Sequence, residues 1–247
     1  MSVVSGICFY APSYKRPKDA FTQKKFPSVT YVVAQDESEL YEKEGHRIKV
    51  APNSAQGNLC RIRNWILDNA ESSRVIIVDD DLSGFARYEN GKSVKMNHEQ
   101  WVEFCEMGFD FAEQINAKFW GVNLLPDKGA YREYSPFSFK STIGGPFQCF
   151  NNLDLRYDEN LPLKEDYDLS LQVLQKYHMT LRFNAYHYIC KQHINPGGCA
   201  SYRTMQKEKE QFDLLQKKWG ANIVKSDRKK DGGYDINPII KVPIGGI

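Results

Sequence analysis

The chain has 247 residues, 41% of them hydrophobic, and its 33 basic and 31 acidic residues leave a net charge of +2. That length supports one sizeable core, and the near balance of charge argues against binding nucleic acid by bulk electrostatics, while leaving room for a local basic channel. Six scattered cysteines form no close metal-binding pairs and read as reduced, mostly buried thiols. No apolar stretch approaches the ~18 residues of a membrane span, so no membrane partner is expected. The first apolar run has no basic region before it, as a signal peptide would, and a cytoplasmic location is expected, in the host cytoplasm if the source is viral.

In chain order, residues 3–10 predict a buried strand that ends in Ala11-Pro12-Ser13-Tyr14-Lys15-Arg16-Pro17, a run of turn formers. A second strand is expected at 28–34, a short polar helix at 37–44 and a third strand at 47–50. In the helix expected at 58–70, Leu59, Ile62, Ile66 and Ala70 share one face, with Arg61, Asn64 and Asp68 opposite. Residues 74–78 form an uninterrupted apolar strand that runs into Asp79, Asp80 and Asp81. Alternating strands and helices imply βαβ units and a mostly parallel sheet, with ligands beyond the carboxyl ends of the strands. On that basis residues 10–16, 35–36 and 79–81 gather at one edge. Further on, a helix is expected at 99–116, a strand at 119–124, a strand pair or hairpin at 137–151, a helix at 169–177, a strand at 180–188 and an amphipathic helix at 202–219. The composition after 226 reads as a loose tail, giving one domain over 1–225 and a tail over 226–247.

Three adjacent carboxylates repel one another and call for something that offsets them. A divalent cation does so, since Mg2+ and Mn2+ prefer oxygen ligands and bridge to phosphates. The alternate pair Asp79 and Asp81 suits one carboxylate to a ribose and the other to the metal. An Asp-rich turn capping the next segment is the plainer alternative. Walker-type and dinucleotide-binding glycine motifs are missing, as are the signatures of Ser-His and Cys-His hydrolases.

Asn53-Ser54-Ala55-Gln56-Gly57, then Arg63-Asn64, then 75–81 resemble the core of family 2 glycosyltransferases, with Ile62 where an Ala is usual. Tyr14-Lys15-Arg16-Pro17 is similar to that family's first, nucleotide-contacting loop. Lys164-Glu165-Asp166-Tyr167-Asp168-Leu169-Ser170, Gly197-Gly198, Tyr202-Arg203 and Lys218-Trp219 resemble, more narrowly, the TET/JBP-associated glycosyltransferases of phage-type DNA hypermodification. The resemblance covers about residues 3–224. It implies an α/β GT-A (Rossmann-like) mixed sheet flanked by helices, in a single domain, and an inverting, metal-dependent transfer from a UDP-sugar, UDP-glucose first, to a hydroxymethylated pyrimidine in DNA. Asp166 is then the base, with Glu165 beside it, and Asp81 with His193 holds Mg2+ or Mn2+; His187 is a weaker rival ligand. Arg16 and Arg63 suit the donor diphosphate, because guanidinium pairs bidentately with phosphate. Tyr10, Ser13, Gln35, Asp79 and Asp80 are expected to line the donor. Arg203, Lys207 and Lys209 suit acceptor phosphates if the acceptor is DNA, although a solvated helix face is the simpler reading. Other acceptors (glycan, lipid, protein) and a non-catalytic binder of nucleotide-sugar or DNA remain open at this level, as does a sugar-phosphate nucleotidyltransferase, which lacks its glycine-rich first loop here.

Overall fold

A computed structural model of the protein describes residues 6–124, 131–190, 203–226 and 237–242. The first half consists of β1 (Ile7–Pro12), α1 (Thr22–Lys25), β2 (Thr30–Ala34), α2 (Ser38–Lys43), β3 (Ile48–Ala51), α3 (Leu59–Asp68) and β4 (Arg74–Val78). Then follow β5 (Leu82–Glu89), β6 (Lys92–Met96), α4 (His98–Gln114), β7 (Phe119–Asn123), β8 (Phe137–Ser138) and β9 (Phe147–Asn151). The chain continues through α5 (Glu165–Tyr177), β10 (Leu181–Cys190), α6 (Met205–Trp219), β11 (Val224–Ser226) and β12 (Pro238–Ile240).

Ten strands form one mixed sheet in the order β3-β2-β1-β4-β9-β7-β10-β5-β6, with β8 beside β10. β1 to β4 run parallel, as do β7 and β10. β9 lies antiparallel between β4 and β7, and the β5–β6 hairpin is antiparallel to β10. Both faces are covered, which explains the unbroken apolar runs in β1, β2 and β4. Successive residues of β4 point to opposite sides. Ile76 and Val78 join Trp101, Phe104 and Phe109 of α4, while Val75 and Ile77 join Ile62 and Ile66 of α3 and Leu169 and Val173 of α5. A third, smaller core of Leu161, Leu171, Phe212, Leu215 and Val224 seats α6 on the back of α5.

Four segments differ from expectation. Residues 137–151 are no hairpin, since β8 pairs with β10 and β9 inserts between β4 and β7. Residues 82–96, unassigned by periodicity, form the β5–β6 hairpin around Asn90 and Gly91, both at positive φ (49° and 72°). That is the Asn-Gly pair that primed hairpin turns favour. α5 starts four residues earlier than its apolar periodicity, because Glu165, Asp166 and Asp168 suit the positive end of a helix. In the tail, the Pro238–Ile240 strand pairs with Val224–Ser226, and Ile240 packs on the third core.

α4 packs tightly on the sheet at Gly108, where an added Cβ would lie 2.3 Å from Trp120 Cη2. Gly108→Ala should therefore destabilise the protein by about 1–3 kcal/mol through overpacking. Urea unfolding checks this, and a variant as stable as the parent would show that the indole yields.

Candidate active site

Because β1 to β4 are parallel, the residues that follow them meet at one edge. Ser13 N donates to Val32 O at 3.0 Å, and Asp36 N to Asn53 Oδ1 at 3.1 Å, which ties the strand ends together. The aspartate triplet is anchored there by its backbone. Thr22 Oγ1 donates to Asp79 O at 2.7 Å, and the N–H groups of Phe21 and Thr22 donate to Asp80 O at 2.9 and 3.0 Å.

The three aspartates have different surroundings. Asp80 is fully buried; it accepts from Ser13 Oγ and, at 2.9 Å, from Arg16 Nε. Ser13 Oγ is also 2.7 Å from the Tyr41 hydroxyl. Burial pushes the Asp80 carboxyl up to about 7, against the opposing pull of Arg16 and Ser13. Arg16 Nη1 lies 3.6 Å from Asp81 Oδ2, so one guanidinium serves both carboxylates. The side chains of Asp79 and Asp81 keep 33% and 19% of their surface open. These two face outward at the sheet edge, while Asp80 turns inward.

Arg63 joins the triplet to the second acidic pair. Its side chain is only 1% exposed, yet it carries a full charge. Nη1 donates to Glu165 Oε1 at 3.0 Å and Gln148 Oε1 at 3.2 Å; Nη2 donates to Gly145 O at 2.9 Å and Asp79 Oδ1 at 3.3 Å. The Tyr157 ring lies 5.7 Å from the guanidinium carbon, and its hydroxyl donates to Gln148 Oε1 at 2.5 Å. Arg63, expected at the donor diphosphate, is thus a buried strut between β4 and α5 whose terminal nitrogens are engaged by protein groups. The reason is positional: it follows Leu59 by four residues and precedes Ile66 by three, on the apolar stripe itself.

Glu165 and Asp166 occupy the first turn of α5 in unlike environments. Glu165 is buried against Arg63; burial pushes its carboxyl up to about 7, Asp166 adds to the rise and Arg63 opposes it. Asp166 is partly open. Its Oδ1 accepts from Tyr167 N at 2.9 Å and its Oδ2 from Gly145 N at 3.3 Å. Burial raises its proton affinity, while the Tyr167 amide and Arg63 restrain the rise. Asp79 and Asp166 stand within electrostatic reach of each other, and each also acts on Tyr188 of β10.

Other expected residues lie elsewhere. Tyr10 sits in the α3-side core, and its hydroxyl accepts from Lys49 Nζ at 3.4 Å; that ammonium also reaches Asn69 O, just past the far end of α3. Gln35 is at the correct edge but exposed, in the turn after β2. His187 is buried within β10, with Nε2 2.9 Å from Ser93 Oγ and a proton affinity lowered by burial. His193 lies outside the described residues. Arg203 is no solvated charge, since it pairs with buried Glu208; Lys207 and Lys209 are exposed on α6. Periodicity passed over Gln148, Gly145 and Tyr157. Gln148 does carry a signal, as the lone polar residue in the apolar run Phe147-Gln148-Cys149-Phe150.

Asp79, Asp80, Asp81, Glu165 and Asp166 outnumber Arg16 and Arg63 by three charges when all are ionised. A donor set made only of oxygens with surplus negative charge suits a hard cation such as Mg2+ or Mn2+. Among the described residues no three His, Cys, Asp or Glu side chains form a complete metal cage. A cation that fills its remaining positions with phosphate oxygens and water needs only one or two protein carboxylates.

The sheet order and the carboxylate edge define a GT-A glycosyltransferase fold. A mannosyltransferase from Pyrobaculum calidifontis, solved with GDP-mannose and Mn2+, superposes with a TM-score of 0.54 at 9% identity, over 85% of this chain and 64% of its own. TarS of S. aureus (residues 1–349) gives 0.47 at 16% identity over 74% of this chain and 60% of its own. The glucosyl-3-phosphoglycerate synthase of Mycobacterium tuberculosis, with Mn2+, UDP-glucose and glycerol 3-phosphate, gives 0.49 at 8% identity over 97% and 90%. The chain therefore spans less than two thirds of the first two of these proteins. No curated protein matches the sequence. The profile of the TET-associated glycosyltransferases matches residues 8–198, and the chain belongs to that family.

Two predictions follow from the strut. Arg63→Met leaves buried carboxylates without their cation and should cost about 3–5 kcal/mol in urea unfolding; a cost below about 1 kcal/mol would place the pair among weak surface bridges. The second concerns pH. Folded Glu165 holds its proton up to about 7, against an ordinary value of 4.5, so its ionisation erodes stability as pH rises through that window. Glu165→Gln lacks this titration, so its stability relative to the parent should rise from pH 5 to pH 8, measured without divalent cation. A relative stability that falls over that range would contradict the assignment.

Proposed function

We propose that the protein transfers a sugar, glucose first, from a UDP-sugar to a 5-hydroxymethylpyrimidine base of DNA, with inversion and with Mg2+ or Mn2+. The observation that carries the reading is the pairing of an outward carboxylate edge, Asp79 to Asp81, with a partly open carboxylate, Asp166, through the single strut Arg63–Glu165. Family membership supports sugar transfer, and the resemblance of the Lys164–Ser170 segment to enzymes of DNA hypermodification supports the acceptor. The Pyrobaculum calidifontis mannosyltransferase, which shares the fold and was solved with GDP-mannose and Mn2+, supports a nucleotide-sugar and a divalent cation.

In this reading Asp81 and His193 hold the cation, which when bound offsets the charge of the leaving diphosphate. Asp79 meets the ribose. Arg16, held by Asp80, turns its remaining hydrogen-bonding capacity to the diphosphate. Glu165 keeps Arg63 in place, and Asp166 takes the proton of the acceptor hydroxyl. The oxygen then attacks the anomeric carbon as the bond to the diphosphate breaks on the opposite face. A base in duplex DNA must leave the stack to reach this edge.

Labelled UDP-glucose with Mg2+ or Mn2+, offered hydroxymethylated DNA, plain DNA and simple glycans, tests the acceptor. Label is expected in hydroxymethylated DNA alone, and a chelator should abolish it. Incorporation only into glycans would overturn the acceptor assignment. Asp81→Ala and Asp166→Asn should each lower kcat by about 100-fold or more with an unchanged thermal midpoint, and full activity in Asp166→Asn would remove the base.

A further inference from the structure

Behind the start of α5 lies a buried charge cluster that the steps above leave unused. Glu208, in the first turn of α6, is fully buried. Lys164 Nζ donates to its Oε2, and Arg203 Nε lies 2.9 Å from its Oε1. Lys164 is itself buried and is the residue from which α5 begins, next to Glu165 and two before Asp166. A cation at a helix N-terminus opposes the helix dipole, and a buried ammonium is costly unless paired. Glu208 offsets that cost and ties the start of α5 to α6, and the same ammonium stands two residues before the proposed base.

We propose that Glu208 is a positioning residue that pins the Lys164 ammonium, so that a fixed positive charge stands behind Asp166. The inference rests on the reading of Asp166 as the base. Lys164 is one of the groups that favour the charged form of that carboxylate. The other groups facing it are Arg63 from α3, Glu165 from its own turn, Asp79 from the end of β4, Tyr157 from the segment before α5 and Tyr188 from β10. The far end of α6 is tied independently, through Trp219 Nε1 and Lys218 Nζ to Asp168 at 2.8 and 2.9 Å. Glu208 can thus be altered with α6 still attached.

The test follows the Asp166 carboxyl carbon by NMR titration, its signal assigned by loss in Asp166→Asn, alongside the pH profile of UDP release from UDP-glucose. Lys164→Met removes the charge and should move the Asp166 titration and the acid limb of the profile up by about one pH unit. Glu208→Gln keeps an acceptor for Lys164 but frees its charge, and should move both down. Lys164→Arg should restore the parent profile. A purely structural role would lower the thermal midpoint of the variants and leave the Asp166 titration where it was, which overturns the proposal. If Lys164→Met does not fold, Glu208→Gln decides alone, and an unshifted titration is the overturning result. Should the titrations move as expected while Asp166→Asn retains activity, the base assignment fails and the positioning of Lys164 stands.

Discussion

The guanidinium of Arg63 is the interaction on which the working edge depends. Two acidic segments, one ending β4 and one starting α5, are brought together at the rim of a sheet that is buried on both faces. Like charges in such surroundings repel strongly, because little water is present to screen them. A flat cation with forked donors meets this constraint where lysine would not, since it reaches Asp79, Glu165, Gln148 and Gly145 at once. The backbone adapts to it. At Gly145 an added Cβ would lie 3.3 Å from Glu165 Oε1 and 3.6 Å from both terminal nitrogens of Arg63.

The same arrangement gives two neighbouring acids different work. Glu165 is buried and engaged by Arg63, so it serves the architecture. Asp166, one residue on, has amide donors for both oxygens and keeps part of its surface open. The Asp triplet shows the same division, with Asp80 turned inward to Ser13 and Arg16 while Asp79 and Asp81 face out. In both places one carboxylate is buried in internal pairing while its neighbour stays partly open.

Much of this was legible in the sequence. The apolar run before Asp79 places the triplet at a strand end, and alternating elements gather it with Ser13 and Arg16. The strut was not read: Arg63 falls on the stripe of Leu59 and Ile66, but arginine is so commonly solvated or ligand-bound that spacing alone did not make it a core residue. β9 was beyond reach. An antiparallel strand inserted between two parallel ones is chosen by long-range pairing, which no local period encodes. Tyr10 misled because a tyrosine near a strand end reads as a ligand contact, whereas here its ring packs against α3 and its hydroxyl meets Lys49.

The place where the chain's cooperative unit ends also follows from the charges. The family profile stops at residue 198, yet Lys164 and Asp168, both buried beside the proposed base, find their counter-charges and the indole N–H of Trp219 on α6, beyond that limit. α6 is in turn packed beneath Val224 and Ile240. The recognisable segment and the autonomous folding unit are therefore not the same length. A polypeptide cut at 198 keeps every signature residue of the sheet edge while uncovering Lys164 and Asp168, side chains that the intact protein buries.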